Sequence, residues 1–73
     1  MLYSRQSFGI VISRLRTRKG ITQEVMSGRI GISRSHLAML ENGKRIPKLD
    51  TVWKISDAFG IAPSTLIHMT ERE

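Results

Sequence analysis

Residues 22–47 read TQEVMSGRIGISRSHLAMLENGKRIP, and the placing of hydroxyls, glycines and apolar residues in this run decides the fold. Thr22 suits an N-cap, with its hydroxyl accepting a backbone N–H one turn on, and Glu24 complements the helix dipole in the first turn, so a helix is expected up to Ile30. Met26 and Ile30 share one of its faces, while Gly28 in its interior costs up to about 1 kcal/mol relative to alanine. Gly31 stops it by taking the left-handed conformation that other residues resist. Ser33 caps the next helix, which carries Leu37 and Leu40 on one side and stops at Asn42-Gly43, and Pro47 keeps the following stretch extended. Two short helices are thus joined by Gly31, Ile32 and Ser33.

Outward from this pair, Phe8, Val11, Ile12 and Leu15 follow the i, i+3, i+4, i+7 spacing, which predicts a helix over about 6–19, ended by Gly20. Downstream, Leu49, Val52, Ile55 and Phe59, with small Ser56, form the expected core stripe of a fourth helix over 49–59, closed by Gly60. Pro63 suits the first position of a fifth helix, where its missing N–H would be unpaired anyway, and Leu66, Ile67 and Met69 belong to that helix. No strand pattern, repeat or linker is visible, so the expectation is all-α, five helices, in a single domain spanning 1–73. The rings of Phe8, Trp53 and Phe59 are expected to anchor its core, with Tyr3 near the chain start and aliphatic residues filling the rest.

A chain of 73 residues buries only about 60% of the surface its unfolded form exposes, so dimerisation would add useful stability. Twelve Lys and Arg against six Asp and Glu give a formal charge of +6 and a pI near 10.9, which points to a polyanionic partner. The bases cluster as Arg14, Arg16, Arg18 and Lys19, then Lys44, Arg45 and Lys48. Cysteine is absent, which excludes disulfides, thiolate metal sites and cysteine nucleophiles and suits a reducing cytoplasm. The first twelve residues lack a signal-peptide pattern, and nothing approaches the ~20 apolar residues of a membrane span. His36 and His68 have no partner at metal-ligand or triad spacing, and no glycine-rich phosphate loop is present, so neither an enzyme, a metal nor a cofactor is expected.

Residues 22–47 resemble the Cro/C1-type helix-turn-helix family of phage repressors and restriction-modification controller proteins, and the likeness continues through LDTVWKISDAFGIAPSTLI to cover about 15–67. Thr22-Gln23 matches the family's opening of its second helix, and Glu41-Asn42-Gly43 matches the close of its third. The resemblance implies a compact lambda-repressor-like domain whose recognition helix, about 33–42, lies in a DNA major groove. It places base reading on Arg34, Ser35 and Met39, helped by Ser33 and His36. It places phosphate binding on Thr22, Gln23, Asn42, Lys44 and Arg45. A guanidinium at Arg34 can take guanine O6 and N7 together, or a phosphate instead; Met39 can press on a thymine methyl or belong to the core. Arg16 and Glu41 stand where relatives form a buried ion pair. Against the family pattern, Ser27 replaces an alanine and its hydroxyl needs an acceptor one turn earlier, while Lys48 and Ala62 replace hydroxyl caps.

The implied function is regulation of transcription through an inverted-repeat, double-stranded operator bound by a homodimer, with no small-molecule effector. The apolar residues left for subunit pairing are Ile61, Leu66, Ile67 and Met69. The competing reading is a protein-binding helix-turn-helix module, such as an antitoxin or antirepressor component, against which the basic charge argues.

Overall fold

The structure, a computed structural model, describes residues 4–73; Tyr3 lies outside the described residues. Ser4 caps the first helix, α1 (Arg5–Lys19), its Oγ accepting the Ser7 N–H at 3.0 Å. Gly20, at φ 72°, ends α1 in the left-handed region. Thr22 and Ser33 cap α2 (Gln23–Ile30) and α3 (Arg34–Glu41) in the same way, accepting from Val25 N at 3.1 Å and His36 N at 3.0 Å. Between them Gly31 sits at φ 74°, and the N–H groups of Gly31 and Ile32 both donate to Ser27 O, which folds α3 back across α2. The last two helices, α4 (Leu49–Phe59) and α5 (Pro63–Glu71), start without a side-chain cap, as Lys48 and Ala62 lead one to expect. Among the described residues there is no strand.

Helix α1 packs against α3 and α5, while α2 meets α3 and α4, and α4 meets α5. Phe8, Val11 and Ile12 supply its buried stripe. Met26 and Ile30, Leu37 and Leu40, Val52 and Ile55, and Leu66 bring the other four helices to it. Gly9 lets α1 approach the end of α3: a Cβ there would meet the carbonyl oxygens of Leu40, at 2.6 Å, and of Glu41. Buried Ser27 finds its acceptor one turn back, donating to Glu24 O at 2.9 Å.

Three expectations about burial are corrected. Leu49 is 71% exposed and Trp53 55% exposed, so neither anchors the core. The buried face of α4 is instead Thr51, Val52, Ile55 and Ser56; Trp53, one position after Val52, is rotated about 100° away from it. Leu49 is the first residue of α4 and projects from the end of the helix into solvent. Leu66, assigned to subunit pairing, is 0% exposed, because α5 packs on α1 and α4 with Leu66 and Thr70, four apart, facing inward. Phe59 is only partly buried, its ring covered at 6.0 Å by the Lys19 ammonium.

Candidate nucleic-acid interface

The N-terminal end of α3 is open to solvent: Ser33, Arg34 and Ser35 are exposed, and His36 is half-buried. Eight residues of helix, from Arg34 to Glu41, extend about 12 Å, which separates Arg34 and Ser35 from the features at the other end of α3. Met39, half-buried, lies nearer that far end and anchors the loop beyond it. Its carbonyl accepts the N–H groups of both Lys44, at 2.9 Å, and Arg45, at 3.2 Å. Asn42 adds an Asx contact, its Oδ1 accepting the Lys44 N–H at 3.2 Å. Gly43, in the left-handed region at φ 78°, makes the turn possible. Backbone bonds thus hold the loop while the side chains of Lys44 and Arg45 stay exposed.

The start of α2 comes to the same end of α3. Gln23 Nε2 donates to Glu41 Oε1 at 3.0 Å, and the Arg16 guanidinium grips both oxygens of that carboxylate, at 2.7 and 3.0 Å. The bond to Glu41 raises the Arg16 pKa above the ordinary arginine value, against a smaller opposing effect of burial. Thr22 spends its hydroxyl on the Val25 amide and its carbonyl on the Met26 amide, so the α2 amides left without an intrahelical acceptor are those of Gln23 and Glu24. Such a helix start attracts anions.

The ion pairs among the described residues are Arg14–Glu73, Arg16–Glu41 and the long His68–Glu71 contact, so Arg34, Lys44 and Arg45 carry charge that no carboxylate offsets. One surface therefore combines fixed backbone donors, free cations and an exposed capped helix. That is the chemistry of a phosphate-tracking surface around a helix able to enter a groove.

Comparison with known proteins agrees in both sequence and shape. Residues 12–66 match the helix-turn-helix family. The chain belongs to the Cro/C1-type helix-turn-helix family. This helix-turn-helix protein is 36% identical over 67 residues to an uncharacterised helix-turn-helix transcriptional regulator, y4dJ of Sinorhizobium fredii, a match covering 92% of this chain and 87% of that one. It is also 36% identical over 67 residues to the control protein C.MunI of a Mycoplasma species, with 90% of each chain covered. Among solved structures, the restriction-modification controller protein C.AhdI of Aeromonas hydrophila superposes with a TM-score of 0.80 at 34% identity, over 85% of this chain and 94% of that one. The family consists of DNA-binding transcription regulators, which are not enzymes. No helix among the described residues is long and apolar enough to cross a membrane.

Sequence reasoning passed over an apolar surface on the flank of this helix-turn-helix protein. Ile46, Leu49 and Trp53 are exposed, and they line shallow grooves whose other walls include Ile67 on one side and Ile61 with Pro63 on the other. The phase of α4 carried the signal, since Leu49 and Trp53 share a face with each other that differs from the Val52–Ile55–Ser56 face. Of the residues assigned to pairing, Ile61, Ile67 and Met69 are partly exposed and Leu66 is not.

Proposed function

We propose that residues 1–73 act as one unit, a cytoplasmic transcription regulator that binds an inverted-repeat operator as a homodimer. The observation that carries this reading is the α3 surface: an exposed, serine-capped helix start bearing Arg34, with an amide-rich α2 start and a backbone-fixed Lys44–Arg45 loop at its far end. Arg34 and Ser35 read base edges, helped by Ser33, His36 and the exposed part of Met39. Thr22, Gln23, Asn42, Lys44 and Arg45, gathered at the far end of α3, hold the backbone. One such helix covers only a few base pairs, and a two-fold dimer supplies the second half-site about one helical turn, ~34 Å, away.

The exposed apolar face of α4 and α5 supports pairing there, with Leu49 and Trp53 between Ile61 and Ile67 rather than α5 alone. Regulation on this reading is set by protein concentration through the dimer equilibrium, without a small-molecule effector. The test is selection of duplexes from a randomised pool, followed by titration at two salt concentrations and sedimentation of the free protein. The expected result is an inverted-repeat consensus, a steep loss of affinity with salt, and a dimer at tens of micromolar. A protein whose selected pool stays random, or that sediments as a monomer at that concentration, contradicts the reading.

A further inference from the structure

Glu41 ends α3, Gln23 begins α2 and Arg16 lies in the last turn of α1, yet their side chains meet at a single carboxylate. Arg16 Nε donates to Glu41 Oε2 at 2.7 Å and Nη2 to Oε1 at 3.0 Å, while Nη1 reaches Ile21 O at 2.9 Å. The Arg16 and Glu41 side chains are only 15% and 6% exposed. A carboxylate held in a two-point fork cannot swing, so Oε1 is a stationary acceptor. Gln23 Nε2 donates to it at 3.0 Å. An ionised carboxylate only accepts, so the group of Gln23 that faces it must be the NH₂, and this fixes which way the amide points. Its second N–H and its carbonyl oxygen are then left for another partner.

Two consequences bear on DNA. A free glutamine side chain loses rotamer freedom when it grips a phosphate, whereas here that freedom is already lost on folding. A bare carboxylate beside the grip would also repel phosphate, but Arg16 neutralises it. We infer that Glu41 is a positioning residue for Gln23, presenting its amide to the DNA backbone, so that the bond tying α1 to α3 and the hold on DNA are one unit. The inference rests on the reading of Gln23 as a phosphate contact given above.

The test uses a duplex that the wild-type protein selects from a randomised pool. Gln23→Ala should lower affinity for it about three- to tenfold, the worth of one hydrogen bond. Replacing the ion pair by apolar side chains, Arg16→Met with Glu41→Leu, removes both charges together and should leave thermal stability close to wild type. Removing the Arg16 charge weakens binding equally whether residue 23 is Gln or Ala. The lost positioning adds a further three- to tenfold only where Gln23 is present. Equal losses in the two backgrounds overturn the positioning role. No loss from Gln23→Ala alone overturns the phosphate contact on which it depends. A second measurement needs no variant: in the free wild-type protein the Gln23 side-chain amide should have an NMR order parameter near that of rigid backbone, about 0.85, and a value under about 0.6 overturns the proposal.

Discussion

A side chain at Gly9 would press on backbone, the carbonyls of Leu40 and Glu41, which cannot turn aside as a flexible side chain would. Gly9→Ala should therefore destabilise the fold by about 1 to 3 kcal/mol, a lowering of Tm by roughly 4 to 8 °C per kcal/mol for a domain of this size. Gly28 is the opposite case, since a Cβ there meets nothing within 4 Å and its backbone is ordinary helix. Gly28→Ala should raise stability by up to about 1 kcal/mol, and thermal unfolding of the two variants in one buffer checks both signs. The sequence reveals Gly28 as a cost to its helix but says nothing of Gly9, because a glycine's letter does not record which backbone approaches it. Thr22, Ser33 and Ser27 were legible for the reverse reason: their hydrogen bonds lie within one turn of chain.

On the proposed reading, helix α3 and the loop after it divide the work on DNA between sequence choice and grip. Arg34→Ala should relax preference at one base per half-site, by about 1 to 3 kcal/mol of lost discrimination, and leave random DNA bound as before. Lys44→Ala or Arg45→Ala should weaken all duplexes alike and flatten the slope of log affinity against log salt by about one unit each. Titration of a selected and a random duplex over a range of salt separates the two outcomes; equal losses on both duplexes from Arg34→Ala contradict its base-reading role. The five helices and their order were legible because caps, glycines and apolar spacing are all local signals. The faces of α4 and α5 were legible only in part. Periodicity shows that Leu49 and Leu66 are apolar and helical, but only the packing of α5 on α1 and α4 decides that Leu66 is inside and Leu49 outside.

The proposed subunit pairing through α4 and α5 makes two demands that can be measured on the intact chain. Trp53 is the single tryptophan and is 55% exposed in one subunit, so its fluorescence should shift to the blue as protein concentration rises through the dimer equilibrium. Ile67→Glu or Trp53→Glu should give a folded monomer that binds a half-site weakly; a variant that still sediments as a dimer excludes this face. The Arg16–Glu41 tie should not make stability sensitive to pH in the neutral and mildly alkaline range. A raised arginine pKa gives stability that is complete below the unfolded value and lost only as pH climbs through the folded one, and both lie beyond that range. Removing Glu41 alone is a different matter, since it strands a mostly buried guanidinium at a cost of about 3 to 5 kcal/mol.

The buried hydroxyls of Ser27, Ser56 and Thr70 each donate to a carbonyl three residues back, and Ser7 Oγ meets Ser4 Oγ at the same spacing. Each helix therefore carries the partners for these interior polar groups with it, and none of the four must wait for a distant segment to arrive. Acquisition of the native state should be correspondingly quick, in the microsecond to millisecond range of helical domains whose interactions are close in sequence. The Arg16–Glu41 bond, 25 residues apart, and the Gln23–Glu41 bond, 18 apart, are of the other kind. If the Glu41 bonds close after the rate-limiting collapse, stopped-flow kinetics should show Glu41→Ala accelerating unfolding with little change in the refolding rate, which would make this carboxylate the catch that keeps the regulator from opening.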